Sequence, residues 1–186
     1  MLDYLVLVPT HNRPLELSRL INILSPNLIS GKMILCILNS GSIDLVDSVI
    51  LKFNNNNIIH LKLPDNFYWS MAISAGMKYI ERYSYKYQVW INDDVKLNNR
   101  SFAIIENDLS SINNSIYVGA FQDKNNHVSY GLRDSGKLLT PNGRLLKGSL
   151  MNGNFVAIPK ELVNDIGQMP TWLRHSIGDN LYGKKA

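Results

Sequence analysis

The sequence predicts an α/β domain built on a mostly parallel sheet. Two observations carry that expectation. Four short, continuous apolar runs lie in the first half of the chain, and each of the first three is followed by a polar loop and an amphipathic helical pattern. Parallel neighbours need a crossover, and crossover helices lie on the sheet faces, so such strands are buried on both sides and read as unbroken hydrophobic runs.

The first run, "YLVLV" (Tyr4 to Val8), ends at "PTHNR", where Pro14 suits the first position of a helix and Leu17, Leu20, Ile21 and Leu24 recur at helical spacing. "MILCIL" then leads through "NSGSID" to Val46, Val49, Ile50 and Phe53, again at positions i, i+3, i+4 and i+7. A third short strand, "IIHL", precedes the turn "PDNF" and a helix with Trp69, Ala72, Ile73, Gly76 and Ile80 on one face. "YQVWI" is the fourth strand. After about Arg100 the rhythm changes to a helix near Ser101 to Leu109, a strand "IYVGA", turn-rich segments through "PNGRLLKG", a strand "NFVAIP" and a short helix "KELVNDI". The expected fold is a Rossmann-like α/β start followed by a mixed or antiparallel C-terminal portion, with no internal repeat and no linker.

Composition sets outer limits. With 186 residues, 45% hydrophobic and 18% charged, the chain suits one globular domain. It holds no apolar run of the roughly 20 residues that a membrane span needs, so a soluble protein is expected. The N-terminus "MLDYLVLVPTHNRP" carries an acid rather than a basic leader and has no small-residue cleavage site, which signals no secretion. The lone Cys36 lies in an apolar run, cannot form an internal disulfide and packs as a small hydrophobe. The net charge of +4 is spread without a basic stripe or interleaved aromatics, which argues against a nucleic-acid partner. "FNNNNI" and "KLNNRS" are short and bounded by regular patterns, and are expected to be loops.

Ligands of open parallel sheets bind at the carboxyl ends of the strands. "PTHNR", "NSGSID", "PDNFYW" and "NDDV" all follow strands, so the fold should gather them on one rim. The last sets Asp93 beside Asp94. Like charges so close repel, and a hard divalent cation, Mn²⁺ or Mg²⁺, would relieve the repulsion with only one or two protein carboxylates when a diphosphate supplies further oxygens. The bland alternative is an Asx-turn with a solvated second acid.

Six blocks in order give the chain a resemblance to the glycosyltransferase family 2 enzymes of the GT-A fold, its rhamnosyltransferase-like bacterial members in particular. They are "LVPTHNRPLELSRLINIL", "NSGSID", "NFYWSMAISAG", "INDDV", "MNGNFVAIPKELVNDIG" and "HSIGDNLYGKKA". The resemblance implies one GT-A-like domain, with residues 1–100 as the nucleotide-sugar half and 101–186 as a short or truncated acceptor half. It implies an inverting, metal-dependent transfer of a sugar from a nucleotide diphosphate, UDP- or dTDP-linked, to a hydroxyl of a glycan or lipid-linked acceptor in polysaccharide assembly. A cytoplasmic site is implied, with peripheral association at the inner face of the plasma membrane.

By the same resemblance, Asp94 ligates the metal, while Asn92 or Asp93 faces the ribose or donor sugar. Thr10, His11 and Arg13 border the nucleotide, Asn39, Ser42 and Asp44 lie where base and ribose are read, and Asn66 and Trp69 wall the site. Asp179 falls at the general base, with His175 and Asn154 on the acceptor side. Each has a plainer reading: Asp179 as a helix N-cap, Ser42 or Asp44 as a cap, His175 as a surface or core histidine, and Trp69 as core packing. Arg133, Lys137 and Arg144 are either a diphosphate clamp or solvated loop cations.

Three departures from the family pattern stand out. Asn39 replaces a usual Asp, Ser74 replaces a frequent Asn, and Leu181 and Lys185 replace an acid and an Arg in the final block. The altered final block and the abrupt end at "GKKA" motivate the competing function, a non-catalytic nucleotide-sugar-binding module of a larger assembly. A metal-dependent phosphotransfer domain ranks below both, because such folds commonly set paired acids after the first strand.

Overall fold

The computed structural model describes residues 1–97, 101–110, 114–172 and 178–186. The first half alternates β1 (Leu2–Thr10), α1 (Pro14–Ile29), β2 (Met33–Asn39), α2 (Ile43–Phe53), β3 (Ile58–Lys62), α3 (Trp69–Ile80) and β4 (Tyr85–Ile91). There follow α4 (Ser101–Ser110), the short strands β5 (Tyr117–Val118), β6 (Phe121–Gln122), β7 (Val128–Tyr130), β8 (Arg133–Asp134) and β9 (Lys137–Leu138), then β10 (Phe155–Pro159), α5 (Lys160–Ile166) and α6 (Gly178–Gly183).

The main sheet has six strands in the order β3-β2-β1-β4-β10-β5. β1, β2, β3 and β4 are parallel, and β10 runs antiparallel to both β4 and β5. The predicted mixed C-terminal portion is thus an antiparallel flank on a parallel sheet. Strand order reverses between β1 and β4, which makes their carboxyl ends the switch point where such sheets open a crevice.

Alternation along β1 divides the core. Tyr4, Val6 and Val8 face a layer formed by α1, α2 and α4, with Leu17, Leu20, Ile21, Leu24, Val46, Val49, Phe102 and Ile105. Leu5 and Leu7 face α3, α5 and α6, with Ala72, Ile73, Met77, Leu162, Val163 and Tyr182. Helices therefore cover both faces of the sheet, which explains why Leu5, Val6, Leu7 and Val8 are all fully buried. Gly76 lets α3 settle closely on the sheet, since a Cβ there would stand 2.8 Å from Leu38. Among the described residues no helix is long and apolar enough to cross a membrane. Cys36 is buried, and burial pushes its thiol up to about 12, so it is inert at neutral pH.

Candidate functional site

Three small networks occupy the carboxyl ends of the parallel strands. The first joins β1 to β4. Asp93 is buried, with 4% of its side chain exposed, and it accepts from Thr10 Oγ1 at 2.7 Å and from Arg13 Nη1 at 3.2 Å. The same Arg13 nitrogen donates to Asp94 Oδ2 at 2.8 Å, while Asp94 is 53% exposed. Arg13 thus sits between the two carboxylates, and their charge holds its guanidinium above the ordinary value. Burial raises the Asp93 carboxyl, only partly offset by the Thr10 bond and the Arg13 charge. The two acids are consequently unlike: Asp93 is a framework carboxylate and Asp94 an accessible one.

The second network ties the loop after β1 to the loop after β2. His11 donates from Nδ1 to the Ser40 carbonyl at 2.8 Å, which leaves Nε2 to accept from Asn12 Nδ2 at 3.3 Å. Asn12 lies in the left-handed region at φ 55, and its Oδ1 accepts from the Ser42 backbone N–H at 2.8 Å. Ser42 caps α2 with its hydroxyl, and Asp44 stands exposed in the first turn of that helix. Asn39 is buried: its Oδ1 accepts from the Gly41 N–H at 2.8 Å and its Nδ2 donates to the Ser42 carbonyl at 3.2 Å and to His60 Nε2 at 3.1 Å. His60 Nδ1 in turn donates to Asp47 at 2.7 Å.

The third network bridges β4, α3 and β10. Asn92 accepts from Trp69 Nε1 at 2.7 Å and donates to Asn154 Oδ1 at 2.8 Å, while its own N–H reaches the Asn154 carbonyl at 3.0 Å. Trp69 also packs edge-on against Trp90, with ring centroids 5.8 Å apart. Next in the chain, the Gly153 N–H donates to Asp179 Oδ2 at 2.8 Å. A Cβ on Gly153 would stand 2.6 Å from the Trp69 ring, so only glycine lets ring, loop and acid converge. Asp179 Oδ1 accepts from the backbone N–H and the side-chain amide of Asn180.

These contacts bring Thr10, His11, Arg13, Asn39, Ser42, Trp69, Asn92, Asp93, Asp94, Asn154 and Asp179 to one end of the sheet. Asn66 lies exposed in the turn before α3. His175 lies outside the described residues. Asn12, His60, Asp47 and Gly153 escaped the sequence reading. The Asn-Arg-Pro run and the Gly between two Asn residues were the available signals for Asn12 and Gly153; nothing local marks the His60–Asp47 pair.

The accessible carboxylate oxygen Asp94 Oδ1 is compatible with a hard divalent cation that takes its remaining oxygens from elsewhere. Among the described residues no three His, Cys, Asp or Glu side chains cluster into a metal cage, and Mg²⁺ or Mn²⁺ beside a diphosphate needs only one or two carboxylates. Asp94 presents one exposed carboxylate, with Oδ1 outside the Arg13 bond.

A mostly parallel α/β sheet with an antiparallel flank and a polar switch point is the architecture of the GT-A fold. S. aureus TarS, residues 1–349, matches it with a TM-score of 0.67 at 14% identity, covering 99% of this chain and 55% of that one. The mannosyltransferase PcManGT from Pyrobaculum calidifontis, solved with GDP-Man and Mn²⁺, matches with a TM-score of 0.67 at 17% identity, over 96% of this chain and 49% of that one. The TarS fragment solved with UDP-GlcNAc matches with a TM-score of 0.62 at 15% identity, over 100% and 53%. The chain spans about half the length of these proteins, and at such identities the likeness is one of fold. No protein-family model and no curated protein matches the sequence.

Proposed function

We propose that the chain transfers a sugar, with inversion, from a nucleotide-diphosphate donor to a hydroxyl of a glycan or lipid-linked acceptor in bacterial polysaccharide assembly. The observation that carries this reading is the pair of acidic positions, Asp94 and Asp179, joined along one rim through Asn92, Trp69, Asn154 and Gly153. The GT-A neighbours, one solved with GDP-Man and Mn²⁺ and another with UDP-GlcNAc, support it.

In this reading residues 1–100 hold the donor and 101–186 face the acceptor. The nucleotide, UDP or dTDP, lies over the loops after β1 and β2, bordered by Thr10, His11, Asn39, Ser42 and Asp44, with Asn66 and Trp69 as walls. Asp93 positions Thr10 and Arg13. Arg13 has five N–H donors and spends one nitrogen on the acids, so it retains others for the diphosphate. Asp94 would hold Mn²⁺ or Mg²⁺, whose charge offsets the charge developing on the leaving diphosphate. Asp179 accepts the proton of the acceptor hydroxyl while that oxygen bonds to the anomeric carbon and the bond to the diphosphate breaks. Its bonds from Gly153 and Asn180 fix its direction. His175 and Asn154 are assigned to the acceptor side.

The test is a panel of nucleotide sugars with Mn²⁺, Mg²⁺ or EDTA, followed by thermal shift and by release of nucleoside diphosphate. Metal-dependent binding with turnover supports the enzyme. Binding without turnover across varied acceptors supports a nucleotide-sugar-binding module instead, and no binding of any nucleotide sinks both.

A further inference from the structure

A cavity of about 380 Å³ meets the third network at Asn180, the residue after Asp179, and is otherwise lined by residues outside the three networks. Its polar lining is Arg133, Lys184, Asn152 and Asn180, over an apolar floor that includes Met151 and Leu181. Among the described residues Arg133 and Lys184 are its only ionisable groups, and neither forms an ion pair with a carboxylate. Two exposed cations with no carboxylate partner among the described residues therefore line one concave space.

Arg133 is not a loosely tethered loop cation. Its backbone is bridged to Leu150, with N–H to carbonyl distances of 2.8 and 3.1 Å in the two directions, and its Nη1 donates to the Gly136 carbonyl at 3.0 Å. Lys184 follows α6 directly, and its N–H is held by the Asn180 carbonyl at 3.1 Å. From Leu150 the chain runs through the lining residues Met151 and Asn152 to Gly153, whose N–H holds Asp179. On the other wall Asn180 is the next residue after Asp179 and donates to it. The cavity is thus built from the same two segments that aim the carboxylate.

We propose that this cavity binds a phosphate ester carried by the acceptor, close to the hydroxyl that receives the sugar; this rests on reading the chain as a glycosyltransferase with Asp179 as base. A guanidinium fork, an ammonium and two side-chain amides match the several acceptor oxygens of a phosphate, and charge-assisted bonds to Arg and Lys are the strong ones in such a site. A neutral saccharide would gain no ion-pair bond from either cation.

The test is titration calorimetry on the full chain, with and without saturating UDP, using glycerol, glycerol 3-phosphate, glycerate and the diester glycerophosphoglycerol as probes. Glycerol 3-phosphate or the diester should bind about tenfold or more tightly than glycerol and glycerate, and more weakly as salt rises. Preference for the monoester marks a free phosphorylated sugar, whereas equal or better binding of the diester marks an internal unit of a phosphate-linked chain. Arg133→Gln and Lys184→Gln should each weaken phosphate binding several-fold while leaving the melting temperature and UDP binding unchanged. Equal binding of glycerol and glycerol 3-phosphate, equal binding of glycerate, or indifference to both substitutions overturns the proposal. Failure of UDP to bind, with phosphate binding intact, counts against the donor reading and not against this cavity.

Discussion

The two halves of the molecule hold their polar residues in different ways. In the first, every strand from β1 to β4 lies in a parallel ladder, and the loops at its carboxyl end are cross-tied by Asp93, Asn12 and Asn39. In the second, β5, β6, β8 and β9 are two residues long, and the stretch from 141 to 149 is exposed throughout. Among the described residues there, α4, β10, α5 and α6 are the elements anchored in the core. The difference teaches that Asp93 on the first side is held by side chains from a neighbouring buried strand and its loop, whereas Asp179 is held by Gly153 and by its own neighbour Asn180. Donor recognition should therefore resist change in the second half, and proton transfer should be sensitive to it.

The largest expected effect is on Asp179. Asp179→Asn keeps the shape and the bond from Gly153 but removes the base, and transfer should fall about 10²–10⁴-fold in single-turnover assays. Unchanged transfer would reduce Asp179 to a structural cap. The bridge between the halves comes next. Asn92→Ala leaves Trp69 Nε1 and the Asn154 amide oxygen without their partner, at about 1–3 kcal/mol by chemical denaturation. Gly153→Ala forces the Trp69 ring aside and should cost about 1–3 kcal/mol from overpacking; a smaller loss would mean that the rim relaxes there more readily than its contacts suggest.

The smallest effect is a pH slope from the first half. Because burial holds the Asp93 carboxyl above 3.8, the folded state keeps its proton where the unfolded chain has lost it. Asp93 thus contributes stability that is fully present below 3.8 and lost as pH rises through the raised value. Relative to Asp93→Asn, the melting temperature of the wild type should fall as pH rises through that acid window. A relative rise would mean that Thr10 and Arg13 outweigh the cost of burial.

How far this was legible in the sequence follows from the range of the interactions. Runs such as "YLVLV" and "MILCIL", and helices with Leu17, Leu20 and Leu24 on one face, declare themselves locally, so the sheet and its first three helices were predictable. The antiparallel β10 was expected only as part of a mixed second half, because strand direction is set by connections rather than by composition. Asp93 and Asp94 were visible as a pair, but not their unlike environments, since Arg13 and Thr10 arrive from some eighty residues away. In the structure Arg13 sits between the two acids as a resident cation. The His60–Asp47 link and the approach of Gly153 to Trp69 likewise exist only once the strands are assembled.

The central claim is that donor and base functions reside in separate parts of one rim. The direct measurement is nucleotide-sugar affinity, with Mn²⁺ and with EDTA, for wild type, Asp94→Ala and Asp179→Asn side by side. The account predicts that Asp94→Ala loses the metal-dependent part of donor binding while Asp179→Asn binds donor as the wild type does. Equal loss in both variants, or none in Asp94→Ala, would contradict it.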